Sequence, residues 1–261
     1  MGSPSHCPLA WGCFTVKHSG EEPVSKGTVP DPWELYLPEL PTVVAPRQAE
    51  QLVALLQVLE ADEHAPSAVR DAERAAEVHL ADSLIALGIG ALRGADRIAD
   101  LGSGAGFPGL ALAVALPDAE VRLVESQKRK CEYLQRACGQ AALENVSVVC
   151  ARAEEWREGM EENDVVVARA LAAQPVVMEY AAPLLRVGGT LIDWRGGRDE
   201  QEEREARCAG EELGLRLVDI RYVEPYRGSR DRHLHVFEKL ARTPPRFPRR
   251  AGIARKRPLG R

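Results

Sequence analysis

The chain contains 261 residues, of which 45% are hydrophobic and 28% charged, and this length suits one full-sized domain with extensions. It has no run of about 18 apolar residues and no basic start followed by an apolar stretch, so neither a membrane span nor a signal peptide is expected. Its six cysteines form no paired framework, which indicates reduced thiols and a cytoplasmic protein.

The charge is distributed unevenly along the chain. The formal net charge is −5, but residues 241–261 hold eight Arg and Lys residues and no acidic residue, so the preceding 240 residues carry about −13. A basic, Pro-rich tail on an acidic body predicts an arm that binds RNA phosphates, with Arg249 and Arg250 among its contacts. The alternative is a solubilising disordered tail.

Two helices are predicted before the main pattern begins. Residues 1–32 are rich in Pro, Gly and Ser and predict a disordered extension, whereas residues 33–92 predict a helical segment packed on the main domain. The first helix of that segment covers residues 47–62. The second covers residues 71–88, with Asp71 as its N-cap.

The second of these helices carries a polar cluster. His79, Asp82 and Ser83 are three and four residues apart, so their side chains share one helix face. One helix turn cannot surround a substrate with a nucleophile, a base and an orienting group, so the cluster is not a hydrolase triad. A hydrogen-bonded structural face is the simplest interpretation of these residues alone.

An alternation of strands and helices begins at Arg97 and predicts a parallel sheet with helices on both faces. Strands are expected near residues 97–102, 121–126, 146–151, 164–170 and 190–195, and helices near 108–115, 127–141, 174–186 and 199–213. Two final β-rich runs, 215–223 and 233–240, are separated only by a turn, so one of them must run antiparallel to its neighbours. Residues 93–240 are therefore expected to form the α/β, Rossmann-like fold of class I S-adenosylmethionine (SAM) methyltransferases, a seven-stranded, mostly parallel sheet with one antiparallel strand.

A glycine-rich loop, Asp100–Gly109, joins the first of these strands to the helix after it. Glycines let the backbone turn tightly and approach a ligand closely, and the helix that follows offers free N–H groups. Two cofactor patterns fit the loop: the dinucleotide fingerprint at Gly104, Gly106 and Gly109, and the first motif of SAM methyltransferases at Asp100, Gly102, Gly104 and Gly106. The final hairpin favours the second pattern.

Three further positions are expected at the cofactor. Asp100 occupies a place that is usually apolar in dinucleotide folds, and it either holds the cationic amino-acid end of SAM or caps the glycine loop. Glu125 ends the second strand, where it can accept both ribose hydroxyls or simply begin the next helix. Ala153 follows the third strand and leaves room for a planar adenine, while Glu154 beside it favours the next helical turn.

An arginine, Arg169, ends the fourth strand between two alanines. A charged side chain at the end of a buried strand is costly unless it is paired. We therefore expect Arg169 to place an anion or the substrate base in the cleft, or to pair with a local carboxylate.

Three segments follow one another in a recognisable order: a helix with His79, Asp82 and Ser83, a glycine loop ending in Phe107-Pro108-Gly109, and a tail with Phe247-Pro248-Arg249-Arg250. Together they resemble the bacterial RsmG/GidB family of 16S rRNA guanine-N7 methyltransferases, over roughly residues 48–260. Two segments depart from the family pattern. Ala65-Pro66-Ser67 stands where Asn-Leu-Thr is usual, and Trp194-Arg195-Gly196 stands where Leu-Lys-Gly is common.

The resemblance implies an enzyme that uses SAM to methylate N7 of a guanine in the 530 loop of 16S rRNA. The implied cofactor contacts are Gly102, Phe107, Ala153, Glu154 and Arg169, and the implied RNA contacts are His79, Asp82, Arg249 and Arg250. Because guanine N7 and O6 are acceptors that an arginine can read, Arg169 and Arg195 are candidates for holding the base.

The expected substrate is free 16S rRNA or the small ribosomal subunit, bound by a monomer that needs no metal or membrane. Two rival functions remain open from the sequence. One is an NAD(P)-dependent oxidoreductase built on the same loop, and the other is a non-catalytic RNA-binding protein with a methyltransferase fold.

Overall fold

The computed structural model of the protein describes residues 45–69 and 71–260. The predicted disordered extension over residues 1–32 therefore lies outside the described residues. Within the described ranges, no helix is long and apolar enough to cross a membrane.

The helical segment before the sheet has the predicted pattern. Helix α1, Pro46–Ala61, begins at a proline and buries a leucine stripe that includes Leu52 and Leu59. Asp71 accepts a hydrogen bond from the backbone N–H of Arg74 and so caps the next helical run, as predicted.

That second run, here called the interrupted helix, changes its winding along its length. It consists of α2 (Ala72–Ala75), a π-helical turn (Ala76–Ala81), α3 (Asp82–Leu84) and a 3-10 turn (Ile85–Gly88), and α4 (Gly90–Arg93) follows it. Helical turns of this wide type are rare and occur frequently at functional sites. The turn contains His79 and ends beside Asp82.

Seven strands form one sheet in the order β3-β2-β1-β4-β5-β7-β6. Their bounds are β1 Arg97–Leu101, β2 Glu120–Glu125, β3 Val146–Cys150, β4 Asn163–Arg169, β5 Leu185–Arg195, β6 Leu215–Val223 and β7 Arg232–Lys239. Strands β1 to β5 pair in parallel, and β7 runs antiparallel to both β5 and β6. The predicted methyltransferase fold is confirmed, with β7 as its antiparallel strand.

The connecting helices cover the sheet. They are α5 (Gly109–Ala115), α6 (Lys128–Gln140), α7 (Gln174–Ala181), α8 (Glu200–Leu213) and the short α9 (Ile253–Lys256), with 3-10 turns at Ala153–Glu155 and Arg157–Gly159. The predicted helix over residues 174–186 is too long, because Pro183 cannot continue a helix and the chain enters β5 at Leu185.

The basic tail packs on the body. Phe247 and Ala254 are buried with residues of α7 and α8, so the alternative of a disordered tail is wrong for residues 241–260. The opposite face of the sheet has its own core, in which Leu52 of α1 and Leu80 of the interrupted helix lie with Ile98 of β1.

Candidate cofactor and substrate site

The glycine loop turns between β1 and α5 in a conformation that only glycine adopts easily. Gly102 and Gly106 have φ angles of +68° and +95°. A Cβ atom on Gly102 would lie 2.5 Å from the side chain of Leu171, so strain and close contact both exclude a larger residue. The loop lies at the carboxyl ends of β1 and β4, the edge at which open α/β sheets bind their ligands.

Asp100 lies underneath this loop. Its carboxylate is 1% exposed and accepts a hydrogen bond of 3.1 Å from the backbone N–H of Gly109. Burial raises the pKa of Asp100 to about 6. The structure thus shows the loop-capping contact, while a direct contact of Asp100 with a cofactor stays a prediction.

Glu125 lies at the end of β2, on the neighbouring side of the loop. One carboxylate oxygen accepts the backbone N–H of Gly104 at 3.2 Å, and the other accepts that of Gln127 at 2.8 Å. The oxygen bound to Gln127 also accepts the Ser126 hydroxyl at 3.5 Å, so the remaining acceptor capacity lies on the oxygen beside Gly104. This is the position that binding of a ribose requires.

Two residues of the implied cofactor set face other parts of the protein. The Glu154 carboxylate accepts the backbone N–H of Gly252 at 3.1 Å through Oε1 and so helps to hold the tail. The Phe107 ring is 5% exposed and stacks on the ring of His79, with centroids 4.9 Å apart. The direct contacts of Phe107 and Glu154 with the cofactor stay predictions, and the structure shows what else each side chain contacts. Ala153 lies in the 3-10 turn beside Glu154, and its predicted contact with adenine stays a prediction.

Arg169, at the end of β4, is held by three partners from the interrupted helix. It donates to the carbonyl of Val78 at 3.1 Å, to Oδ2 of Asp82 at 2.8 Å and to Nδ1 of His79 at 3.2 Å. A guanidinium can only donate, so Nδ1 carries no proton. His79 therefore donates from Nε2 to the Ser67 hydroxyl, 2.9 Å away.

This network keeps His79 neutral. Burial, and then the charge of Arg169, lower the pKa of the imidazole to about 4. Both ring nitrogens have partners inside the protein, and the contact of His79 with RNA stays a prediction. The role that the geometry gives to His79 is to position Arg169.

A cleft of about 270 Å³ opens beside Arg169, at the carboxyl ends of β4 and β5. Its lining consists of Asp82, Arg169, Ala170, Trp194, Arg195, Gly196, Val223, Arg232 and His233. Three arginines and one carboxylate belong to this lining, so the cleft is rich in guanidinium donors. Trp194 donates its indole N–H to the carbonyl of Asp82 at 2.8 Å and thereby fixes the interrupted helix against β5.

Arg195 forms part of this wall, but its guanidinium is already engaged. It donates from Nη2 to both carboxylate oxygens of Glu202 at 2.6 Å and from Nη1 to the carbonyl of Ala172 at 2.9 Å. A bidentate contact of these nitrogens with a guanine would have to displace Glu202. The expectation that Arg195 holds the base therefore stays a prediction, and Arg169 is the better placed of the two.

The tail arginines separate into two roles. Arg249 pairs with Glu179, which is fully buried, and also donates to the carbonyl of Arg257 at 2.8 Å. Its guanidinium holds the tail to α7, and its contact with RNA stays a prediction. Arg250 is exposed, and its contact with RNA stays a prediction.

The sequence interpretation assigned no role to Arg232, which begins β7 and lines the cleft. The register of the antiparallel pair places Arg195 opposite His233, so the start of β7 meets the end of β5. The predicted hairpin contained this signal, since an antiparallel last strand must begin at the edge where the parallel strands end.

The family model GidB, described as rRNA small subunit methyltransferase G, matches residues 46–229. The chain belongs to the GidB family. Members named ribosomal RNA small subunit methyltransferase G from Syntrophomonas wolfei and Rubrobacter xylanophilus are each 42% identical to it, covering 70% and 73% of this chain and 86% and 75% of their own. A family member of the same name from Deinococcus radiodurans is 37% identical and covers 83% of this chain and 87% of its own. The resemblance found in the sequence is confirmed.

Solved structures share the fold at much lower identity. MtNAS in complex with MTA and tNA has a TM-score of 0.52 and 15% identity, covering 74% of this chain and 71% of that chain. A mutant of MtNAS in complex with S-adenosylmethionine has a TM-score of 0.50 and 15% identity, covering 74% and 73%.

Proposed function

We propose that the protein transfers the methyl group of SAM to N7 of a guanine in the RNA of the small ribosomal subunit. The observation that carries the proposal is the arginine-lined cleft at the ends of β4 and β5, where Arg169 directly follows the residue that pairs with Leu101 of the glycine loop. The names of its relatives in the GidB family support the RNA substrate.

The residues around the glycine loop fit SAM. The positive φ angle of Gly102 gives the tight turn that is typical of a nucleotide-binding loop, and Glu125 has acceptor capacity for the ribose. When bound, SAM supplies an electrophilic methyl group on a sulfonium ion. Gly102, Gly104, Gly106 and Glu125 would hold it, with Ala153 beside the adenine.

The chemistry at the cleft requires alignment and the exclusion of water. Guanine N7 has a free lone pair and no proton, so no general base has to activate it. The one carboxylate in the lining, Asp82, is ion-paired with Arg169 and lies at 3% exposure, which suits a positioning role and not proton abstraction. Holding the base in line with the methyl group then supplies the rate enhancement.

Arg169 would hold the base at O6, which leaves the lone pair of N7 free for the methyl group. Asp82, Val78 and His79 occupy three of its five N–H groups, so it enters the cleft with a fixed orientation and two unused donors. Outside the cleft, the exposed Arg250, Lys256 and Arg257 of the tail would add salt-dependent contacts with phosphates.

Incubation with labelled SAM and small subunits from cells that lack the activity tests the proposal. Label is expected at one guanine, where chain cleavage specific for N7-methylguanine locates it. Arg169→Ala is expected to abolish incorporation, while Arg204→Ala, an exposed arginine of α8, serves as the matched control. Labelling elsewhere, or none at all, refutes the proposed function, and so does tight binding of NADH with none of S-adenosylhomocysteine.

A further inference from the structure

Two buried polar atoms in the cleft wall have no hydrogen-bond partner among the described residues. They are Oδ1 of Asp82, an acceptor, and Nε of Arg232, a donor. The two groups form a long ion pair, but the two atoms are 3.9 Å apart, too far for a hydrogen bond between them. Buried polar atoms in folded proteins are nearly always paired, so an orphaned acceptor beside an orphaned donor indicates a ligand that completes both.

The surroundings fix one of these atoms and leave the other adjustable. Asp82 is held through Oδ2 by Arg169 and through its carbonyl by Trp194, and its side chain is 4% exposed. The Arg232 side chain is 39% exposed, so it can shift to admit a planar group between itself and the carboxylate. The acceptor is therefore preorganised, while the donor closes over the ligand.

We propose that Asp82 and Arg232 read the Watson–Crick edge of the target guanine. The carboxylate Oδ1 accepts the base N1–H, and the Arg232 Nε–H donates to O6. This inference rests on the proposed function for the identity of the base and adds the residues that select it.

The order of groups along the edge provides the selection. A guanine whose N9 is held by the RNA backbone presents an acceptor at O6 and a donor at N1, which complement the donor of Arg232 and the acceptor of Asp82. An adenine-like edge presents an amino donor at C6 and an acceptor at N1. The C6 amino group would then face the donor of Arg232, and N1 would face the acceptor of Asp82, so both contacts would be repulsive. Neither contact uses N7, which stays free for methylation.

Binding to three RNAs, measured with saturating S-adenosylhomocysteine, tests the inference. Hairpins of the target loop would carry guanine, inosine or 2,6-diaminopurine at the target position. Inosine keeps the N1–H donor and the O6 acceptor. In 2,6-diaminopurine an amino donor replaces O6 and N1 becomes an acceptor, while all three bases keep N7. We expect wild-type protein to bind the guanine and inosine RNAs similarly and the diaminopurine RNA about tenfold to a hundredfold more weakly.

Arg232→Met removes the donor and leaves the anchoring of Asp82 to Arg169 intact. In this variant we expect the preference for guanine over diaminopurine to fall by at least about tenfold, with unchanged affinity for S-adenosylhomocysteine. Arg216→Met, at an arginine of β6 whose side chain is 61% exposed, is the matched control and should keep the preference.

Wild-type protein that does not discriminate, or an Arg232→Met variant that discriminates as well as wild type, overturns the inference. A loss of affinity that is equal for all three RNAs also overturns it, since that result indicates a structural role. The methylation assay separates this inference from the proposed function. If the protein prefers the guanine RNA but places no label at N7, only the proposed function is refuted. If it labels N7 but does not prefer guanine over diaminopurine, only the recognition of the Watson–Crick edge by Asp82 and Arg232 is refuted.

Discussion

The carboxylate of Asp100 should make the protein less stable at neutral pH than an uncharged side chain would. The folded protein raises the pKa of Asp100 from 3.8 to about 6, mainly through burial. The folded state therefore binds more protons than the unfolded state between these values, and stability falls as the pH rises through them. At one pKa unit per about 1.4 kcal/mol, the ionised carboxylate costs roughly 3 kcal/mol above pH 6.

Asp100→Asn keeps an acceptor for the N–H of Gly109 and removes the charge. The difference in unfolding free energy between variant and wild type should rise from about zero near pH 4 to between about 1 and 3 kcal/mol at pH 7, in favour of the variant. The neutral His79, whose pKa is lowered to about 4, adds stability as the pH rises to 6.5 in both proteins, so its effect cancels in the difference.

Urea denaturation at half-unit steps from pH 4 to pH 8 measures this difference. Asp118→Asn, at an exposed turn aspartate, is the matched control and should show no trend that resembles it. A difference that is independent of pH, or a variant that loses stability relative to wild type as the pH rises, would refute the burial argument and show that Asp100 stabilises the loop as an anion.

Two other substitutions test the tail and the loop. Arg249→Ala leaves the fully buried Glu179 without its arginine partner and should lower the free energy of unfolding by about 3–5 kcal/mol. Arg250→Ala, at an exposed arginine, should change it by less than about 0.5 kcal/mol, and thermal unfolding compares the two variants. Gly102→Ala forces a Cβ into contact with Leu171 and should weaken S-adenosylhomocysteine binding at least tenfold in calorimetry, and an unchanged affinity would contradict the loop assignment.

The sheet, but not the order of its strands, could be predicted because the hydrophobic runs have the length and spacing of strands and the glycine loop marks the first turn. The antiparallel β7 followed from the shortness of the connection after β6. The end of helix α7 was predicted too late, although Pro183 is visible in the sequence, because the apolar pattern continues through it into β5.

The side-chain partners could not be predicted in the same way. The sequence places His79 and Asp82 on one helix face, but it does not show that Arg169, some 90 positions away, occupies that face. Likewise, nothing near Glu154 in the sequence indicates that the backbone N–H of Gly252 donates a hydrogen bond to the Glu154 carboxylate. Such long-range pairs depend on how layers pack, and local periodicity carries no information about that.

Because of the interrupted helix, the folding unit begins at an earlier residue than the start of the sheet suggests. A chain that began at β1 would contain every strand and the whole glycine loop, yet Arg169 would have lost Asp82, Val78 and His79. It would also expose the core face on which Leu52 and Leu80 lie. The smallest unit that can fold and orient its site therefore starts upstream of the Rossmann-like sheet. If the sheet alone were grafted into another protein, the glycine loop would be present but Arg169 would lack the partners that orient it.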